Sequence, residues 1–322
     1  LFRSRAFPVT EATAAFRFMA QARHIGKVVL EAEGADTADD GAVWITGGLG
    51  GIGIAIAKRL VETGARQIVL TGRSAPSEDA NVQIAAMRSA GADVAVLTGN
   101  VARMEDVVSI RDEIARRGWR LRHVHHAAGV LDDATLQRQT WSRFETVLAP
   151  KAAGAWNLHL ATRHIPLRTF VLYSAGAALL GSPGQANYAA ANAFLDGLAL
   201  HRRSTGLPAL SIGWGPWAQV GMAARAKLDW SGTGLGAIDP DAGHAALTLL
   251  QQTDAAVAAV LPIDWSTSPA AGSGAAVRPF FEGVQTEAGE RRRRNWRPGP
   301  VCCRSCPATT VASASWSCWR TR

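Results

Sequence analysis

The chain has 322 residues, 48% of them hydrophobic, and a formal net charge of +8. Eight arginines and two glutamates fall in residues 285–322, so most of the excess charge sits in the tail, and the near-neutral body gives little support to a polyanion-binding role for the folded part. No apolar run is long enough to span a membrane, and the N-terminus carries no charged-then-apolar secretory signal, so neither nucleic acid nor membrane is an expected partner.

A chain of this size buries a full α/β core, and one domain of about 230 residues with flanking pieces is expected. Residues 1–30 read as a helix, EATAAFRFMAQARH, then a strand, GKVVLEA, and the linker EGADTADDG sets them apart. From 42 to 263 short β-branched runs alternate with amphipathic stretches. The strands are AVWIT, QIVLTG, DVAVLTG, LRHVHHAAG, RTFVLYSA, PALSIGW and AAVAAVLPI; SRFETVLAPKAAGAWNLHLATRH and NYAAANAFLDGLALHRRST are the most evident helices. That alternation predicts an α/β fold, a Rossmann-like doubly wound parallel sheet with helices on both faces. After Trp265 the pattern fails. STSPAAGSGAAV reads as linker, and from about Gln285 neither period survives, so disorder is expected; the change of composition is abrupt enough for a shifted reading frame. Cys302, Cys303, Cys306 and Cys318 all lie in that tail. Cys303-x-x-Cys306 has no second pair or histidine cluster at ligand spacing, so no metal site is expected. A cysteine-free body fits a reducing cytosol.

The passage Val43-Trp44-Ile45-Thr46-Gly47-Gly48-Leu49-Gly50-Gly51-Ile52-Gly53 is the most telling. An apolar run breaks into glycines that open directly into a helix, IGIAIAKRLVETG. In a dinucleotide site Gly48 would allow the tight turn, Gly50 would let the backbone approach the pyrophosphate, and Gly53 would let helix and strand lie close. Phosphates then sit on unpaired N–H groups at the positive end of the helix. The strand before, the helix after and QIVLTGR twenty residues on supply the context such a motif needs.

Arg73-Ser74 follows that second strand. An acid there would bond the ribose hydroxyls of NAD, whereas arginine with a hydroxyl suits the 2′-phosphate of NADP, so NADPH is the expected cofactor. Ala127-Ala128-Gly129 closes the fourth strand with small residues, suited to a cofactor passing the backbone or to packing alone. Lys151, Ser174, Tyr188 and Asn192 form a further set. Reduction of a ketone needs a proton at the oxygen as hydride reaches the carbon, and a tyrosine can deliver it if a nearby cation lowers its pKa from about 10. Tyr188 and Asn192 lie four apart in a helix and share a side, with Lys151 on the preceding helix. Singly, Tyr188 reads equally as a core tyrosine and Lys151 as a surface charge; the glycine loop favours the catalytic reading.

ITGGLGGIG, LTGRS, HHAAGVLDD, APKAAGAWNLH, GSPGQANYAAANAFLDGLA and GWGPWAQVGMA together resemble the ketoreductase domain of modular polyketide synthases, within the short-chain dehydrogenase/reductase superfamily, over about residues 40–265. The resemblance implies reduction of a 3-oxoacyl thioester, carried on an acyl carrier protein, to the 3-hydroxy compound with NADPH. It implies cofactor contacts at Thr46, Gly47, Gly48, Leu49, Gly50, Gly51, Ile52 and Gly53, at Arg73, Ser74, Asn100, Val101, Ala127, Ala128 and Gly129, and at Lys151, Tyr188, Pro216 and Trp217. Tyr188 would be the proton donor, Lys151 its pKa modifier and a ribose ligand, Asn192 a positioner or relay member, and Ser174 a candidate carbonyl anchor. The order of Lys151 and Tyr188-x-x-x-Asn192 matches this family's exchange of lysine and asparagine. Trp214 to Trp217 would form a lid edge over the nicotinamide or a purely structural corner, and Gly221-Met222 would begin a mobile substrate helix.

Residues 7–30 resemble the C-terminal end of an enoylreductase, so a fragment of a cytoplasmic multienzyme is expected: residues 1–35 an enoylreductase remnant and linker, 36–265 the ketoreductase, 266–322 linker and tail. Its other domains and the carrier-bound substrate are the expected partners. Two positions depart from the family. Its serine falls thirteen residues before the tyrosine, where this chain has Ala175 with Ser174 adjacent, and Asn100 stands where an aspartate commonly faces adenine. Ala175 keeps open a cofactor-binding but catalytically silent scaffold domain; a free-standing reductase is the third reading. Leu131-Asp132-Asp133, Pro183 and Asn187, with Leu180 in place of a tryptophan, resemble the B-type fingerprint, which implies a (3R) product; Asp132-Asp133 would serve equally as a helix cap.

Overall fold

The computed structural model describes residues 4–8, 12–21, 27–31, 41–221, 235–263 and 311–312. The chain divides into two compact units, Leu1–Asp40 and Gly41–Arg322. In the first, β1 (Ser4–Pro8) pairs in parallel with β2 (Lys27–Glu31), Ser4 opposite Lys27. A parallel pair needs a crossover, and α1 (Ala12–Ala20) lies between the two strands in the chain. Phe7 and Ala15 are buried, and the Phe7 ring tilts on Phe18 with centroids 5.7 Å apart. β1 escapes a reading of the sequence because SRAFP offers neither alternation nor a β-branched residue.

The second unit is built on parallel strands β3 (Ala42–Thr46), β4 (Gln67–Gly72), β5 (Asp93–Thr98), β6 (Leu121–His126), β7 (Thr169–Ala175), β8 (Leu210–Trp214) and β9 (Val257–Val260). Their order is β5-β4-β3-β6-β7-β8-β9, a Rossmann-like doubly wound sheet. A two-residue strand, β10 (Val311–Ala312), pairs antiparallel with β9; the rest of the tail, with its cysteines, lies outside the described residues.

Alternation along β3 feeds two separate cores. Val43 and Ile45 pack with α2 (Gly51–Glu62), α3 (Glu78–Ser89) and α9 (Pro240–Gln251), while Ala42 and Trp44 pack with α4 (Met104–Arg116), α6 (Gly154–Thr162) and α8 (Ala186–Ser204). A strand buried on both faces must be apolar throughout, which is why AVWIT shows no polar residue until its end. The strand order reverses between β3 and β6, and in such sheets the crevice at the carboxyl ends of the strands there is where ligands bind.

The stretch from Trp141 to Thr162 is not the single helix its sequence suggests. It runs as α5 (Trp141–Leu148), a π-helical turn Ala149–Ala153, and α6. Pro150 has no N–H to give the carbonyl four residues back, so the ladder widens there, and the widened turn carries Lys151. No described helix is long and apolar enough to cross a membrane.

Candidate active site

At the end of β3 the chain turns at Gly47, whose φ of 67° lies in the left-handed region. The turn residue is therefore Gly47, not Gly48. Gly48 is required instead by crowding, since a Cβ there would sit 2.6 Å from the Ile45 carbonyl oxygen. A Cβ on Gly47 would lie 2.7 Å from the backbone of Ala127 and Ala128, so the end of β6 seals the back of the turn, joined also by Ala127 N–H donating to the Thr46 carbonyl at 3.0 Å. Gly53 is tighter still, its Cβ falling 2.3 Å from the Gly47 oxygen. Gly50 is the N-cap of α2 and has no side chain to satisfy the first amides, which leaves the positive end of the helix open toward the crevice. Leu49 packs over Gly72, and Gly51 approaches Gly221. A bare helix end behind a bend with no room for side chains fits a pyrophosphate.

Along the rim, Arg73 and Ser74 are exposed just beyond β4, and Arg73 has no hydrogen bond or ion pair among the described residues. The Asn100 side-chain oxygen accepts from Ala102 N–H at 3.1 Å and the Asn100 N–H donates to Asp106 at 2.8 Å, so both stiffen the turn after β5. The Val101 carbonyl accepts from Asn157 at 3.1 Å.

Lys151, Tyr188, Asn192, Ser174 and Ala175 converge where β7, the π turn and α8 meet. Lys151 is 3% exposed; its Nζ donates to the Tyr173 carbonyl at 2.9 Å and lies 5.3 Å from the centre of the Tyr188 ring. Gly129 passes close, a Cβ there falling 2.9 Å from Lys151 Cε. Burial pulls the Lys151 pKa down to about 7 against the opposing charge of Asp196. Burial pushes the Tyr188 hydroxyl up to about 12, with Asn192 pulling down and Asp133 adding to the rise. This is opposite to the lowering expected from a nearby cation, because Lys151 caps the ring face and bonds Tyr173 while desolvation governs the phenol. Asn192 donates to the Tyr188 carbonyl at 2.8 Å, and its own Oδ1 is buried with no partner, an acceptor left for a bound group. Ser174 is 4% exposed and its hydroxyl donates to the Asn192 carbonyl at 3.3 Å, while Ala175 is the more exposed of the two.

His126, which no sequence pattern singled out, holds this corner together. Its Nε2–H donates to the Lys151 carbonyl at 3.1 Å, so its Nδ1 accepts from the Thr46 hydroxyl at 2.7 Å. Burial and the neighbouring Lys151 lower its pKa to about 3, so the ring is neutral. It ties the strand that leads into the glycine turn to the turn that carries the lysine.

The cavity in front of this group, about 180 Å³, is lined by Ile52, Leu131, Leu180, Gln185, Val220 and Pro216 among others. One wall is stitched. Asp132 pairs with Arg143, Asn187 donates to the Asp132 carbonyl at 2.8 Å, and Gln185 donates to Asp133 at 2.9 Å. Asn187 also accepts from Tyr188 N–H at 2.8 Å. Neither acid of Leu131-Asp132-Asp133 acts as a helix N-cap; α5 is capped by Thr140. Trp217 reaches the cavity but is 4% exposed, tilted by 59° against Trp214 with ring centroids 5.0 Å apart and edge-on to His244, so it is a core residue with one face on the site. The segment from Met222 lies outside the described residues. Among the described residues no cluster of three or more metal-ligating side chains occurs.

A doubly wound sheet, a glycine turn into an uncapped helix and a Lys–Tyr–Asn group at the switch point define a nicotinamide-nucleotide-binding fold of the short-chain dehydrogenase/reductase type. Residues 41–219 match the KR domain model, and the chain belongs to that family, the ketoreductase domains of modular polyketide synthases. It is 38% identical over 304 residues to one of the phenolphthiocerol/phthiocerol polyketide synthase subunits of Mycobacterium tuberculosis, covering 89% of this chain and 14% of that protein. It is 42% identical over 291 residues to the spectinabilin polyketide synthase system protein NorB of Streptomyces orinoci, covering 87% and 13%. The chain thus spans about a seventh of the length of these multidomain relatives. Among solved structures, an A-type ketoreductase from a modular polyketide synthase superposes with a TM-score of 0.69 at 36% identity, covering 77% of this chain and 54% of that one.

Proposed function

We propose that the chain reduces a 3-oxoacyl thioester, delivered on an acyl carrier protein, to the (3R)-3-hydroxyacyl thioester with NADPH. The observation that carries this is the convergence of Lys151 and Tyr188 on one cavity that Ile52, at the end of the glycine turn, also lines, with Asn192 bonded to the Tyr188 carbonyl one helical turn behind. The bound nicotinamide would supply the hydride. The bare end of α2 and the bend at Gly47 to Gly53 would hold the pyrophosphate, and the exposed Arg73-Ser74 pair the 2′-phosphate. Tyr188, with its pKa pushed up to about 12, holds its proton at neutral pH and so has one to give the ketone oxygen. Lys151 steadies the ring and presents a cation to ribose hydroxyls; the unpartnered Asn192 oxygen is placed to receive a proton-carrying water or hydroxyl.

The product's hand follows from which side the substrate's arm enters. Asp133 held by Gln185, and Asp132 held by Arg143 and Asn187, fix one wall of that entrance, while Leu180 leaves the opposite wall free of an indole. The A-type label belongs to the superposed structure; these local residues support the B-type reading for this chain. Chiral chromatography of the alcohol formed from a 3-oxoacyl thioester decides it, mainly (3S) product overturning the assignment. For the cofactor, calorimetric titration should give tighter binding of NADPH than NADH, and equal affinities would remove the 2′-phosphate pocket.

A second reading, a cofactor-binding but silent scaffold domain, is favoured by Ala175, which offers no hydrogen bond to the substrate carbonyl. We also place residues 1–35 as the end of an enoylreductase and residues 266–322 as linker and tail, with other synthase domains as partners; the resemblance of residues 7–30 supports the first of these.

A further inference from the structure

We propose that Asp196, on the sheet-facing side of α8, is a positioning residue whose carboxylate, held by Ser211, keeps the Lys151 ammonium charged from behind; this rests on the reductase reading above. Tyr188, Asn192 and Asp196 recur every four residues along α8, so the side that carries the proton donor continues two turns later into an acid. The Ser211 hydroxyl, fully buried on β8, donates to Asp196 Oδ1 at 2.6 Å, and Ser211 pairs across the sheet with Leu172 of β7. Leu172 is one residue before Tyr173, whose carbonyl accepts the Lys151 ammonium. Ammonium and carboxylate are therefore anchored at neighbouring positions of the paired strands β7 and β8. Among the described residues no carboxylate oxygen lies within 4 Å of Lys151 Nζ, so the two charges act through the field and not as a contact pair.

A buried ammonium loses its proton unless a negative charge opposes desolvation. The groups facing Lys151 from each packed element are Tyr188 and Asp196 on α8, His126 on β6 and the Tyr173 carbonyl on β7. Tyr188 is protonated and His126 neutral at working pH, which leaves Asp196 as the charge that favours the cation. The same geometry accounts for Ser174: its hydroxyl is committed to α8, which leaves position 175 to face the substrate.

The test uses the purified chain without cofactor. The sequence holds four lysines, Lys27, Lys58, Lys151 and Lys227, so the Lys151 side-chain resonance in a 13C,15N-lysine-labelled sample is assigned by comparison with Lys151→Arg. Its titration midpoint is expected near 7 in the wild type and at least one pH unit lower in Asp196→Asn, which keeps an acceptor for Ser211 but drops the charge. Ser211→Ala should move it in the same direction by less, because the carboxylate remains but is held less firmly. An unchanged midpoint in natively folded Asp196→Asn overturns the proposal; if that variant lacks a native circular dichroism spectrum, an unchanged midpoint in Ser211→Ala does so. In turnover, the alkaline limb of kcat/KM should shift to lower pH by the same unit or more. Absence of any turnover in the wild type would count against the reductase reading alone, since the resonance titration does not depend on it.

Discussion

Tyr188 and position 175 are the residues on which the chemistry turns. Replacing Tyr188 with phenylalanine removes only the transferable proton, so reduction should fall by at least 10²-fold while NADPH affinity, read by calorimetry, stays near normal. Retained turnover would show that another group is the acid. Ala175→Ser adds a hydroxyl where the strand faces the cavity, and turnover should rise on the order of 10²-fold, the scale of one oxyanion donor. Ser174→Ala should change kcat less, because its hydroxyl already serves the Asn192 carbonyl. A Ser174→Ala variant more damaged than Ala175→Ser is improved would reverse the two roles.

Among the elements, the glycine turn tests how the helix is brought to the cofactor. A methyl at Gly53 would overlap the Gly47 carbonyl, which is backbone and has nowhere to move. Gly53→Ala should therefore lower thermal stability by about 1–3 kcal/mol and weaken NADPH binding at least tenfold, measured by melting and calorimetry. Normal affinity would mean that the turn does not shape the phosphate site. Most of the strands were legible because a doubly covered sheet must be continuously apolar, and the glycine motif because it joins a strand to a helix. Other features were hidden for physical reasons. Pro150 splits an otherwise continuous helical pattern, and the assignment of turn and contact roles between Gly47 and Gly48 depends on φ values that composition does not carry. His126 and Asp196 act through partners 25 to 80 residues away, or through space, and a lone histidine or aspartate has no spacing to announce it.

For the whole molecule, burial of charge-competent side chains makes acid the natural denaturant. His125 and His126 are buried with pKa values lowered from 6.5 to about 3. The unfolded chain binds their protons as pH falls through about 6.5, the folded chain only near 3, so their contribution is complete above 6.5 and is lost between those values. The loss amounts to about 1.4 kcal/mol per pH unit for each fully shifted group. Urea unfolding at pH 7 and at pH 5.5, a window above most carboxylate titration, should show lower stability at the acid end. A flat profile would mean that these rings admit water in the native state.

The match to 54% of a solved ketoreductase and to about a seventh of the curated relatives sets the scale on which the activity must be read. The most direct measurement is the oxidation of NADPH by this chain, followed at 340 nm, with a 3-oxoacyl thioester as substrate and Tyr188→Phe as control. Thioester-dependent oxidation that disappears in the variant is the expected result. Tight NADPH binding with no oxidation in the wild type would contradict it and leave the silent scaffold as the function.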